Sequence, residues 1–328
     1  MIINNLKTGS KIAIAAPARM VTREEMAFGI QWLKDMGFVP VYDDRLFNQY
    51  YIFSGDDDTR AAVFQEYLDN EDIDAIWIAR GGYGSIRIID KLDFTHFLQH
   101  PKWIIGFSDG TVLHGKLSRL GVPSLHAAMP FFFANKTTEA KQSLFEALTG
   151  KPLHYEIASN PLNRLGKMEG KIVGGNLSVL YGMIESDTFP ELDGKILFIE
   201  EVDEYIYHID RMMHGLKRAG KLEHLKGLIV GGLTQIHDNS HPFGQTAEEV
   251  IAEAVSEYEY PVCFGFPAGH FDDNRPLFFG LKSRVEVTSE KSVFLGNFAP
   301  GRDTAHSCRG RCRRPCRRCT SCPHGMCR

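Results

Sequence analysis

The chain has 328 residues, 43% of them apolar and 24% charged, with a formal net charge of −4 at pH 7. This balance excludes a disordered or fibrous chain for most of its length, and the length allows two domains around a substantial core. No apolar run approaches a membrane span, and the run Ile12 to Pro17 is too short for a secretory signal, so a soluble cytoplasmic protein is expected. Instead that run reads as the first strand, over 11–16. A helix over 22–36 follows, opened by the capping box Thr22-Arg23-Glu24-Glu25 and placing Met26, Ile30, Leu33 and Met36 on one face. Strands at 38–42, 73–79, 103–107 and 123–126 then alternate with helices at 58–70, 84–90 and 110–120. Such alternation predicts a parallel sheet wrapped by helices, with ligands at the carboxyl ends of the strands.

From about 131 to 165 the periodicity weakens, and one helix at 138–148 is expected inside a connecting region. A second unit begins with Lys171-Ile172-Val173-Gly174-Gly175-Asn176-Leu177. It continues through strands at 195–200, 227–231, 261–266 and 284–287, with a helix opening at Tyr207. The expected organisation is therefore 1–135, a connector 136–168, a second domain 169–300 and a separate tail 301–328. That tail holds six of the seven cysteines and eight arginines against one acid, a charge near +7 that leaves about −11 on the body. It fits a zinc knuckle drawn from Cys308, Cys312, Cys316, Cys319, Cys322 and Cys327, a basic nucleic-acid arm, or a disordered segment foreign to the fold. The near absence of apolar residues and the all-arginine usage beside a lysine-rich body favour the last. The single earlier cysteine, Cys263, agrees with a reducing compartment.

Chemistry is concentrated in a few places. Gly106-Phe107-Ser108-Asp109-Gly110 runs from a strand into a helix, the arrangement of a nucleophile elbow, with Ser108 as nucleophile and the Asp109 amide facing an oxyanion. A pattern with two fixed glycines also fits an ordinary turn, so its context matters. The loop Ala79-Arg80-Gly81-Gly82-Tyr83-Gly84-Ser85 lacks P-loop spacing but can turn backbone amides inward, towards an oxyanion or a phosphate. Glu200 and Glu201 end an apolar strand, and His270 follows a strand and a glycine. Taken singly, each also fits a surface or packing role.

Together these segments resemble the LD-carboxypeptidase family of serine peptidases. The resemblance rests on Arg80-Gly81-Gly82-Tyr83-Gly84, Gly106-Phe107-Ser108-Asp109, Gly174-Gly175-Asn176-Leu177, Phe198-Ile199-Glu200-Glu201-Val202 with Tyr207 and Ile209-Asp210-Arg211, and Gly269-His270, in the family's order. It implies an α/β protein with a flavodoxin-like or amidotransferase-like parallel-sheet first domain and a smaller β-rich second domain. It further implies a catalytic triad of Ser108, His270 and Glu200 and an oxyanion hole from the Gly82 and Asp109 amides, with no metal or cofactor. The implied reaction releases terminal D-alanine from muropeptide tetrapeptides in cell-wall recycling, by a cytoplasmic homodimer without nucleic-acid or membrane partners. Arg80, beside the glycine loop, is a candidate for binding the substrate's terminal carboxylate. Departures from the family pattern are Glu201, Gly110, the segment Asn274 to Gly280 and the tail. Three rivals remain: microcin C immunity-type peptidases using the same triad on peptidyl-nucleotide amides, an α/β-hydrolase esterase, which would want a His-Gly-Gly-Gly element this chain lacks, and an inert binding protein.

Overall fold

The structure is a computed structural model, described here for residues 3–296. Its first half alternates β1 (Lys11–Ala15), α1 (Arg23–Asp35), β2 (Val39–Val41), α2 (Asp57–Asp69), β3 (Ala75–Ile78), α3 (Ser85–Ile88), β4 (Trp103–Gly106), α4 (Thr111–Arg119) and β5 (Ser124–His126). Strands β3 and β4 are buried throughout, as expected where helices cover both faces of a parallel sheet. The order β2-β1-β3-β4-β5 is parallel at every step. Helix α1 carries the expected capping box, Thr22 accepting from the Glu25 amide and Glu25 from the Thr22 amide. Its inward face packs Trp32 against Trp77 and Phe133, at ring separations of 5.9 and 4.9 Å.

The second half contains α5 (Thr138–Leu148), β6 (Leu153–Ala158), β7 (Gly166–Asn176), α6 (Leu177–Gly182), β8 (Ile196–Val202), α7 (Ile206–Arg218), β9 (Gly227–Thr234), α8 (Ala247–Ala254), β10 (Val262–Cys263), β11 (Leu277–Phe279), β12 (Lys282–Val287) and β13 (Lys291–Gly296). Strands β7, β8, β9 and β10 form a second parallel run. Late in sequence, β11 joins the two runs, pairing antiparallel with β5 and touching β7 through Phe279 and Ile172. The first part of β7 turns to another partner and makes the antiparallel ladder β7-β12-β13-β6. The outcome is a mixed, mostly parallel α/β architecture.

Two sequence expectations need correction. The connecting region contains β6, whose Leu153, Tyr155 and Ile157 point inward and whose His154, Glu156 and Ala158 point outward. That period-2 pattern is completed by β13, a strand likewise absent from the sequence expectation. The strand expected over 261–266 is only Val262–Cys263, because Gly265 at φ +74° turns the chain while Phe264 and Phe266 remain buried. Cys263 is a buried free thiol, and burial pushes its pKa up to about 11. No helix among the described residues is long and apolar enough to cross a membrane. The tail from 301, with its metal and nucleic-acid readings, lies outside the described residues.

Candidate active site

Strand β4 delivers Ser108 on a turn that continues through Asp109 and Gly110 into α4. Ser108 has φ +60°, a left-handed conformation that costs a non-glycine residue energy and persists where the surroundings enforce it. The flanking glycines have a steric reason. A Cβ on Gly106 would lie 2.8 Å from Ile78 Cδ1, and one on Gly110 would lie 3.0 Å from the same atom. Behind the turn, buried His114 joins Ser124 Oγ through Nδ1 and the Gly106 carbonyl through Nε2, both at 2.8 Å. Burial brings its pKa down to about 4, so it is neutral: Nε2–H donates to the carbonyl and Nδ1 accepts from the hydroxyl. His114 thereby fixes the end of β4, a role no local motif announces.

Glu200 lies near the end of β8 with no exposed surface, and His270 follows Gly269 in the loop beyond β10. His270 Nδ1 lies 2.6 Å from Glu200 Oε2, and Nε2 lies 3.1 Å from Ser108 Oγ. With Nδ1–H donating to the carboxylate, Nε2 is left to accept the serine proton. Desolvation works to lower the His270 pKa, but the charge and hydrogen bond of Glu200, helped by Glu201, outweigh it and raise the value above 6.5. Gly269, at φ +133°, allows the close approach: a Cβ there would meet Glu200 Cβ and Oε2 at 3.2 Å. Buried Asn274 accepts the Gly269 amide at 3.0 Å. Glu201 faces a different network, accepting from Asn176 Nδ2, Ser178 N and its neighbour Val202 N, and burial raises its pKa. Its place is structural, tying β7 and α6 to β8.

The glycine loop completes the site. A Cβ on Gly81 would sit 2.9 Å from Ser108 Cβ, so this backbone lies directly against the serine. Asp109 is buried, and its Oδ2 accepts the Ser85 amide at 2.8 Å, linking the elbow to the loop while its own backbone amide stands in the first turn after Ser108. Desolvation raises the Asp109 pKa against these hydrogen bonds. Arg60, reaching from α2 and 2% exposed, donates to the carbonyls of Pro17, Gly55 and Gly84 and to Asp57. Nothing in the sequence singles out this arginine, because its partners are mostly backbone carbonyls, which leave no signature in residue type.

A cavity of about 530 Å³ opens over Ser108 and His270. Arg19, Arg80 and Lys136 line it together with Asp203 and Asp272, and Phe107, Phe131, Phe132 and Phe271 supply apolar walls. Arg80 donates to the Met20 carbonyl at 3.1 Å, and its guanidinium covers the Phe131 ring at 3.8 Å. Away from this cavity, His96 Nε2 and His100 Nε2 face Glu71 Oε1 at 3.4 and 3.3 Å, the one group of metal-capable side chains among the described residues.

A serine on a left-handed strand-to-helix turn, in a hydrogen-bonded line with an imidazole and a buried glutamate, is the arrangement that serine hydrolases use on α/β scaffolds. The chain belongs to the LD-carboxypeptidase family: the family's N-terminal domain matches residues 12–127 and its C-terminal domain residues 169–285. A Bacillus subtilis relative named "Probable murein peptide carboxypeptidase" is 28% identical over 302 residues, covering 90% of this chain and 95% of its own. The Escherichia coli microcin C7 self-immunity protein is 26% identical over 311 residues, covering 84% and 89%. Among solved structures, the muramoyltetrapeptide carboxypeptidase of Oxalobacter formigenes superposes with a TM-score of 0.81 at 26% identity, covering 88% of this chain and 99% of that one.

Proposed function

We propose that the protein is a serine carboxypeptidase that releases terminal D-alanine from muropeptide tetrapeptides. The observation that carries this reading is the line from Glu200 Oε2 through His270 to Ser108 Oγ, at 2.6 and 3.1 Å. Ser108 attacks the scissile carbonyl while His270 takes its proton, and Glu200 orients the ring and stabilises the imidazolium. The Gly82 and Asp109 amides receive the charge that develops on the carbonyl oxygen. His270 then protonates the departing D-alanine nitrogen, and water activated by the same imidazole releases the shortened peptide. Proton transfer within this line generates the nucleophile, so hydrolysis is expected to persist in EDTA. The carboxylates Asp203 and Asp272 on the cavity wall suit the free amine of a diamino acid residue next to the scissile bond. The serine-bearing half, 1–135, and the half bearing glutamate and histidine, 169–300, thus act together. A cytoplasmic homodimer belongs to the same reading.

One observation favours a second substrate. Phe132 is 60% exposed at the cavity wall, where a flat ring could stack a nucleobase as a microcin-type peptidyl nucleotide requires. The test incubates the protein and Ser108→Ala with an L,D-configured tetrapeptide and with an aminoacyl sulfamoyl adenosine, following products by mass spectrometry. D-Alanine release by wild type alone supports the carboxypeptidase; cleavage of the nucleotide alone supports the second reading.

A further inference from the structure

We propose that Arg19 binds the free α-carboxylate of the residue that leaves, making the cavity selective for peptides cut at their C-terminal bond. This rests on the carboxypeptidase reading above. Three cations line the cavity, and two are engaged. Arg80 donates to the Met20 carbonyl, lies flat on Phe131 and has Glu25 at 3.9 Å. Lys136 donates to the Phe271 carbonyl at 2.8 Å and has Asp272 at 4.0 Å. The Arg19 guanidinium has no hydrogen bond or ion pair among the described residues.

Its backbone is nevertheless held. Arg19 bridges Phe53, with Met20 N donating to Ile52 O at 3.0 Å and Ser54 N to Ala18 O at 3.2 Å. The side chain runs across Gly82, where a Cβ would sit 2.2 Å from Arg19 Cδ and 2.7 Å from Cγ. Glycine at 82 therefore makes room for this stem beside a proposed oxyanion donor. In a carboxypeptidase substrate the terminal carboxylate carbon is two bonds, roughly 2.5 Å, from the scissile nitrogen, so its counter-charge must stand next to the oxyanion loop. A planar guanidinium matches a carboxylate with two parallel hydrogen bonds. The positive charge of Arg19 also works against that of Arg80, an opposition that a bound anion would relieve.

The test uses the full-length protein and a paired substrate set: the L,D-tetrapeptide as free acid and as C-terminal D-alaninamide. Arg19→Ala should raise KM for the acid roughly 10- to 100-fold, the scale of a charge-assisted hydrogen bond, with a much smaller change in kcat, so that the preference for acid over amide collapses. Arg19→Lys, which keeps the charge but not the fork, should recover part of that preference. An acid-to-amide ratio in Arg19→Ala equal to that of wild type would overturn the inference while leaving the carboxypeptidase intact. So would collapse of the ratio in Arg80→Ala but not in Arg19→Ala. A wild type that cleaves neither peptide overturns the carboxypeptidase reading and this inference with it.

Discussion

Replacing Glu200 with glutamine keeps the size of the side chain and removes its charge from a site with no exposed surface. At the 2.6 Å contact and an effective dielectric near 20, the gross attraction between this carboxylate and an imidazolium is about 6 kcal/mol. Most of it is felt only when His270 is protonated, which on the proposed mechanism is after Ser108 has lost its proton. The loss should therefore fall on kcat, by about three to four orders of magnitude, the scale reached when a triad acid is neutralised elsewhere. Stability should respond differently. Glu200 Oε1 has no hydrogen-bond partner among the described residues, so the native carboxylate is incompletely compensated and a neutral amide is cheaper to bury. The pair also has a pH signature. Because the folded His270 pKa lies above 6.5, the pair stabilises the fold fully below pH 6.5 and loses that contribution as pH rises through the folded value. Catalysis runs the other way, requiring neutral His270, so kcat/KM should rise through a midpoint above 6.5 in wild type and a lower one in the variant. D-Alanine release across pH 5 to 9, with thermal melts of both proteins, checks each part. Activity within about tenfold of wild type, or an unmoved acid limb, would refute the assigned role.

Other perturbations isolate the supports of the site. Ser108→Gly and Ser108→Ala should both be inactive, but glycine relieves the φ of +60° and should be the more stable by about 1 kcal/mol in denaturant melts. Arg60→Ala leaves three backbone carbonyls and Asp57 without their buried donor, at a cost of about 3–5 kcal/mol and a Tm loss on the order of 10 °C by calorimetry. Gly106→Ala drives a methyl against Ile78 and should cost about 1–3 kcal/mol, with part of that restored by adding Ile78→Val, which removes the nearest atom. A double-mutant cycle of melts would show the coupling, and its absence would sever the motif glycine from β3.

The serine was legible because everything that defines its turn is local: an apolar strand, two glycines and a helix in a dozen residues. Glu200 and His270 were not legible from spacing, since the histidine stands 70 residues from the glutamate and 162 from the serine. Only the joint order of several motifs, compared with a family, brought them together. The same distinction runs through the fold. Parallel strands β1, β3 and β4 announce themselves as unbroken apolar runs, whereas β6 is half-polar and finds its partner β13 across more than a hundred residues. Three-residue β11 is too short for any period to register, yet it joins the two parallel runs. Arg60 sits in Asp57-Asp58-Thr59-Arg60, a helix start that reads as solvent-facing charge, and its burial follows from carbonyls at 17, 55 and 84 that no residue type encodes.

Arg80 and Arg19 show what adjacency to a motif can and cannot specify. Sequence position puts Arg80 beside the glycine loop, and it does line the cavity, but a donor and its flat face are committed to Met20 and Phe131. Its bond to the Met20 carbonyl instead helps hold the segment from which Arg19 emerges. Recognition of an anion needs a cation that is fixed in place yet has donors to spare, because a donor already paired must break that bond before it can bind. Arg80 meets the first condition by spending one donor on Met20 and its flat face on Phe131, with the Glu25 carboxylate 3.9 Å away as a competing anion. Arg19 meets both, with its backbone anchored by the bridge to Phe53 and its stem supported on Gly82. The glycine loop and this arginine therefore form one device, in which the missing side chain at 82 admits the cation and its amide remains available to the oxyanion.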